Sequence, residues 1–101
     1  MNKLLTSFQV LDRSAEILKT IAHPIRLAII EILVKQGKLS VTDIYKKLDM
    51  EQSVISYHLK NLRMVNVVVS NRKGTKIFYS IEKPDVIRIF EHITALGNVG
   101  I

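Results

Sequence analysis

One change of rhythm constrains this chain more than any other feature. From Asp43 to Val65 the apolar residues keep helical spacing: Ile44 and Leu48 lie four apart, and Ile55, Leu59 and Leu62 share one side of a helix. From Val67 the pattern changes. Val67-Val68-Val69 and Lys76-Ile77-Phe78-Tyr79-Ser80-Ile81 are rich in β-branched and aromatic residues, the composition of strands. Ser70 to Thr75, with Gly74, reads as the turn between them. The expected order there is a short helix over Asp43–Asp49 capped by Thr42, a tight turn at Asp49-Met50-Glu51, a longer helix over Gln52–Val65, then a β-hairpin. Asn66, which tolerates the left-handed conformation, is expected to end the longer helix.

The flanks are helical. Asp12 is expected to cap a helix over Arg13–Ala22, with Ile17, Leu18 and Ile21 on its apolar side. His23-Pro24 breaks it, and Pro24 suits the first turn of a second helix that runs to Gln36 and stops at Gly37. Leu27, Ile30, Leu33 and Val34 form its expected buried stripe, flanked by Ile29 and Ile32. Leu39-Ser40-Val41 is a short extended piece. Pro84 opens a last helix to Leu96, with Val86, Ile87, Phe90 and Ile93 on its apolar side and Gly97 as its stop. The fold class is mainly α with a β-hairpin (α+β): a winged helix-turn-helix of about five helices and a two- to three-stranded wing. With 101 residues the chain is expected to be a single domain.

Charge is distributed unevenly. Fifteen Lys and Arg face nine Asp and Glu, a net of +6. From Gln52 to Ile81 there is no acid, while Lys60, Arg63, Arg72, Lys73 and Lys76 supply +5, leaving ten bases against nine acids elsewhere. An acid-free stretch attracts phosphate, and this one covers the second helix of the helix-turn-helix and the hairpin. A merely solvated basic face is the alternative on charge alone.

The longest apolar runs are of about four residues, as at Leu27–Ile30, far below the roughly twenty of a membrane span. The N-terminal apolar run is too short for a signal peptide, so a cytoplasmic protein with no membrane partner is expected. No cysteine is present, which excludes disulfides and thiolate chemistry. No nucleophile–base pair, Gly-rich phosphate loop or supported carboxylate pair is seen, so an enzyme is not expected.

The segment from Ile21 to Ile81 resembles the ArsR/SmtB family of bacterial winged-helix repressors. The resemblance rests on His23-Pro24-x-Arg26, on Gln52-Ser53-x-x-Ser56-x-His58-Leu59-x-x-Leu62-Arg63, and on Arg72-Lys73-Gly74 followed by Phe78-Tyr79-Ser80-Ile81. It implies a homodimer joined through its first and last helices, here residues 1–22 and 84–101. It also implies that the helix Gln52–Val65 reads the major groove of a near-palindromic operator while the hairpin touches flanking backbone.

Helical geometry agrees. Ser53, Ser56, Tyr57 and Lys60 face away from Ile55, Leu59 and Leu62. Small hydroxyls permit close approach to DNA, and a Gln52 amide can pair with adenine. Arg63, at the flank, suits a phosphate, as do Arg72, Lys73 and Lys76 in the hairpin. His58 falls at the core edge as a packing residue, and His23 fixes the turn before Pro24. The expected dimer residues are Leu4, Leu5, Phe8, Leu11, Val86, Phe90 and Ile93, because the terminal segments carry more apolar surface than a small monomer needs. A winged-helix module that binds protein rather than DNA is the alternative function.

Metal sensing, frequent in that family, is not expected. Where one type of family site has a cysteine pair, this chain has Ser40 and Thr42, whose hydroxyls are poor ligands for soft metals. The second type needs an Asp-x-His in the last helix, but Asp85 is followed two residues on by Ile87, leaving only Glu91-His92. No cofactor is expected.

Overall fold

The structure is a computed structural model that describes residues 6–98, so the expectations for Leu4 and Leu5 lie outside the described residues. Among the described residues, five helices and three short strands follow in the order α1 (Phe8–Ile21), α2 (Pro24–Gln36), β1 (Leu39–Ser40), α3 (Val41–Lys47), α4 (Gln52–Met64), β2 (Val69–Lys73), β3 (Lys76–Ser80) and α5 (Pro84–Gly97).

The α1 helix starts earlier than expected. Ser7, not Asp12, is its cap: the Val10 N–H donates to Ser7 Oγ at 3.2 Å. Asp12 lies one turn inside. Both residue types cap well, and nothing between Phe8 and Asp12 disfavours helix, so the earlier cap wins. The α2 helix begins as expected, with His23 as cap and Pro24 in the first turn, and ends at Gly37, whose φ is +84°. Apolar residues surround most of α2, which makes it the central helix. Its burial differs in detail from the expected stripe: Ile29, Ile30 and Leu33 are buried, while Leu27, Ile32 and Val34 are half-buried.

The α3 helix is also shifted. Its cap is Ser40 rather than Thr42, because Ser40 has an acid three residues on and Thr42 does not. The Asp43 N–H donates to Ser40 Oγ at 3.1 Å, and the Ser40 N–H donates to the Asp43 carboxylate at 3.4 Å, a reciprocal capping box.

Both helices of the helix-turn-helix end alike. After α3, Asp49 has φ +54°, the Met50 N–H reaches back to Tyr45 O and the Asp49 N–H to Lys46 O. After α4, Asn66 has φ +62°, the Val67 N–H reaches Leu62 O and the Asn66 N–H reaches Arg63 O. These paired bonds are the Schellman arrangement, which satisfies carbonyls that a helix end leaves orphaned. The first sets the turn into α4; the second turns Val67 and Val68 into the core.

The hairpin therefore differs from the expected one. Val67 and Val68 are a buried connection and not strand, and β2 runs over residues assigned to the turn. Lys73 pairs with Lys76, so the turn is only Gly74-Thr75. Gly74 has φ +64° while Thr75 does not take a positive φ, the II′ pattern that matches strand twist. The sheet is antiparallel in the order β1-β3-β2, with Leu39 opposite Tyr79 and Val69 opposite Ser80.

The core draws Ile21 from α1, Ile29, Ile30 and Leu33 from α2, Leu39, Ile44 from α3, Ile55, Leu59 and Leu62 from α4, then Val67 and Val68. The α5 helix rests Val86 and Phe90 against this core and includes Gly97 as its last residue, with Asn98 as cap.

Candidate nucleic-acid interface

The α4 helix is held from beneath and open above. Ile55, Leu59 and Leu62 are fully buried and His58 is 5% exposed. The opposite side carries Gln52, Ser53, Ser56, Tyr57 and Lys60, with Arg63 at the flank, and all are exposed. Ser56 and Lys60, four residues apart, and Arg63 beyond them form a nearly continuous exposed row.

The wing adds Arg72, Lys73 and Lys76, all exposed. Lys73 and Lys76 stand directly opposite each other at the hairpin end, where like charges destabilise a strand pair. None of the five cations from Lys60 to Lys76 has an acid partner among the described residues; the ion pairs there are Lys35–Glu31 and Arg88–Asp85. Lys76 of the wing acts on the Asp43 carboxyl of α3. That carboxyl is held below the usual range first by the Ser40 hydroxyl, then by the Ser40 backbone N–H, with Lys76 and Lys47 adding to the effect.

The two expected contact regions meet. An open groove is lined by Gln52 and Ser56 of α4, Thr75, Lys76 and Tyr79 of the wing, and Thr42 of α3. Lys60 and Arg63 lie farther along α4, outside that groove. Thr42 and Thr75 were not expected there. Thr42 was assigned to a cap and Thr75 to an undifferentiated turn, and only the capping box and the two-residue hairpin bring them to the groove.

Arg26, quoted above only as part of the motif that carries the resemblance, has contacts that sequence reasoning missed. Its Nε–H donates to His58 Nδ1 at 3.0 Å, one terminal nitrogen donates to Thr20 O at 2.9 Å, and its guanidinium lies 5.9 Å from the Tyr57 ring centre. His23 lies 4.5 Å from His58, ring centre to ring centre, and its Nδ1 accepts the Ile25 N–H at 3.1 Å. His23 and His58 thus take the structural places expected of them. The pairing of Arg26 with His58 spans 32 positions, and no local pattern announces it.

Of the expected dimer residues, Phe8, Leu11 and Ile93 are exposed, while Val86 and Phe90 are half-buried against the core. Leu18, Ile89 and Leu96 are further exposed apolar residues on α1 and α5. Among the described residues no three His, Asp or Glu side chains come together as a metal site would need.

The profile described as "bacterial regulatory protein, arsR family" matches residues 23–70, from the cap of α2 into β2. The transcriptional repressor PagR of Bacillus anthracis is 44% identical over 79 residues, which is 78% of this chain and 79% of that protein. The chain belongs to the arsR family. A second relative in sequence is the biofilm growth-associated repressor of Agrobacterium fabrum, 35% identical over 81% of this chain and 69% of its own. The crystal structure of PagR superposes with a TM-score of 0.79, covering 86% of this chain and 99% of that one at 41% identity. The solution structure of a homodimeric winged helix-turn-helix DNA-binding domain from Mycobacterium bovis, a possible ArsR-family regulator, gives a TM-score of 0.84. It covers 100% of this chain and 93% of that one at 27% identity. The arsR-family match spans α2, α3 and α4, the elements that build the exposed α4 side.

Proposed function

We propose that this arsR-family chain is a homodimeric, sequence-specific DNA-binding repressor in which α4 of each subunit enters the major groove. One observation carries the reading: a single exposed side of α4 adjoins the wing, and together they present five cations with no acid partner. Phosphate contacts from Arg63, Arg72, Lys73 and Lys76 would set register, and Lys60 adds charge at the helix centre. Gln52, Ser53, Ser56 and Tyr57 approach the base edges, where hydroxyl and amide groups discriminate bases. PagR and the Agrobacterium fabrum relative are named repressors, and the Mycobacterium bovis domain is described as a homodimer.

The chain acts as one winged-helix domain. Self-association uses α1 and α5: exposed Phe8, Leu11 and Ile93, the outer sides of Val86 and Phe90, and Leu4 and Leu5 of the preceding segment. A two-fold interface makes one patch serve both subunits. The reading is of a binding protein and not an enzyme, acting in the cytoplasm where its DNA lies; no described helix is long and apolar enough to cross a membrane.

Selection of duplexes from a random pool tests this. The expected winner is a near-palindrome whose half-sites lie about one helical turn apart. A pool that stays random after repeated rounds contradicts the reading.

A further inference from the structure

We propose that Arg26 is a positioning residue for the recognition helix: one guanidinium ties the end of α1 to two consecutive residues of α4, and it does so only while His58 offers it a lone pair. This rests on the reading of α4 as the helix that meets DNA.

The geometry has three arms. Arg26 donates to the Thr20 carbonyl at 2.9 Å, in the last turn of α1. It donates to His58 Nδ1 at 3.0 Å, in the middle of α4. Its guanidinium carbon lies 5.9 Å from the ring centre of Tyr57, which is 60% exposed on the side of α4 assigned to DNA. A rigid planar fork suits such a task, and a lysine ammonium does not reproduce it. Because α1 also carries exposed apolar residues assigned to self-association, Arg26 joins the proposed dimer helix to the proposed reading helix.

The state of His58 follows from its partner. Arginine has donors and no acceptor, so the imidazole nitrogen facing it must hold a lone pair. A doubly protonated imidazolium has none: its N–H would point at the Arg26 N–H, and two positive charges would meet. His23, beside it, needs a lone pair of its own, on the Nδ1 that accepts the Ile25 N–H. The charged and titratable groups facing His58 are Arg26 from α2, His23 from the α2 cap and Tyr57 from α4 itself; α1 contributes a carbonyl to Arg26. No acid is hydrogen-bonded or ion-paired to these groups among the described residues. Burial, then His23, then Arg26 push the His58 imidazole below its ordinary range, in keeping with this arrangement. Acid therefore releases the clamp.

Two sets of measurements on the full chain test this. In the free protein, the His58 ring followed by NMR is expected to titrate below the usual imidazole range, and to move up in Arg26→Gln. An unmoved titration in that variant overturns the clamp. On DNA, the probes are a duplex recovered from a random pool by the wild type and an unselected duplex. Arg26→Lys keeps the charge and loses the fork. With its thermal melt intact, it should bind the selected duplex on the order of tenfold more weakly at about pH 7.5, the scale of one charge-assisted hydrogen bond. Its salt slope and its affinity for the unselected duplex should stay put. Wild-type affinity of Arg26→Lys on the selected duplex, or a salt slope lowered by about one in the charge-removing Arg26→Gln (Arg26 acting as a phosphate ligand), overturns the proposal. His58→Gln retains an acceptor that does not titrate, so the weakening of wild-type binding as pH falls from about 7.5 through the His58 titration followed by NMR should vanish in it. An acid limb that persists in His58→Gln also overturns the proposal. If the wild type selects no sequence, the reading of α4 fails by itself, and the NMR titration still decides the clamp.

Discussion

Each exposed residue on α4 has a task set by its chemistry. Lys60 carries charge without an acid partner among the described residues, so in the proposed reading it acts on every sequence alike. Lys60→Ala is expected to weaken selected and random duplexes together and to lower the salt slope by about one. Ser56 carries no charge and lines the groove between α4 and the wing. Ser56→Leu is expected to weaken the selected duplex by about 1–3 kcal/mol and random DNA far less, as competition binding would show. In the proposed clamp His58, beneath them, links the site to pH. Its imidazole is pushed down by burial first and by His23 and Arg26 next, so the unfolded chain binds the proton more readily. Stability from this source is complete above about pH 6.5, the ordinary imidazole value. It is lost as pH falls from there through the depressed folded value. Chemical denaturation at stepped pH is expected to show a stability fall across that window in wild type, and a smaller one in His58→Gln.

At the scale of elements, local chemistry fixes where each piece starts and stops. Ser40 and Asp43 cap α3 reciprocally, and Ser40 also pairs with Phe78 across the sheet. Ser40→Ala should cost about 1 kcal/mol of unfolding free energy in a denaturant titration. The central elements were legible in the sequence because their signals are local: Pro24 in the first turn of α2, Gly37 past its end, and the spacing of Ile55, Leu59 and Leu62. Asn66 was legible for the same reason, as a residue that accepts the left-handed region. Boundaries went astray where two residues compete for one job. Ser7 and Asp12 both cap well, and Ser40 prevailed over Thr42 through an acid three positions on. The wing misled for another reason. Val67 and Val68 have strand composition, yet the Schellman exit from α4 spends them on the core, and backbone pairing to β3 makes strand of polar Ser70, Asn71, Arg72 and Lys73. In the candidate site, the exposed side of α4 follows from helical periodicity alone. The groove with Thr42 and Thr75, and the Arg26–His58 bond, depend on contacts between distant segments that no single-sequence pattern encodes.

For the whole molecule, a monomer with exposed Phe8, Leu11, Leu18, Ile89, Ile93 and Leu96 on its first and last helices has apolar surface to cover. A charge placed in that surface should separate the subunits. Ile93→Glu is expected to sediment as a monomer where the wild type sediments as a dimer, and to lose most of its preference for a two-half-site duplex while each subunit stays folded. The central claim is that one face, built from α4 and the wing, binds DNA by charge and selects sequence by contact. Paired affinity measurements over a salt series test it most directly, using the selected duplex and a random one. The account predicts steep salt dependence on both, with the selected duplex bound about a thousandfold or more tightly. Equal affinity for the two duplexes, or no binding to either at low salt, would contradict it.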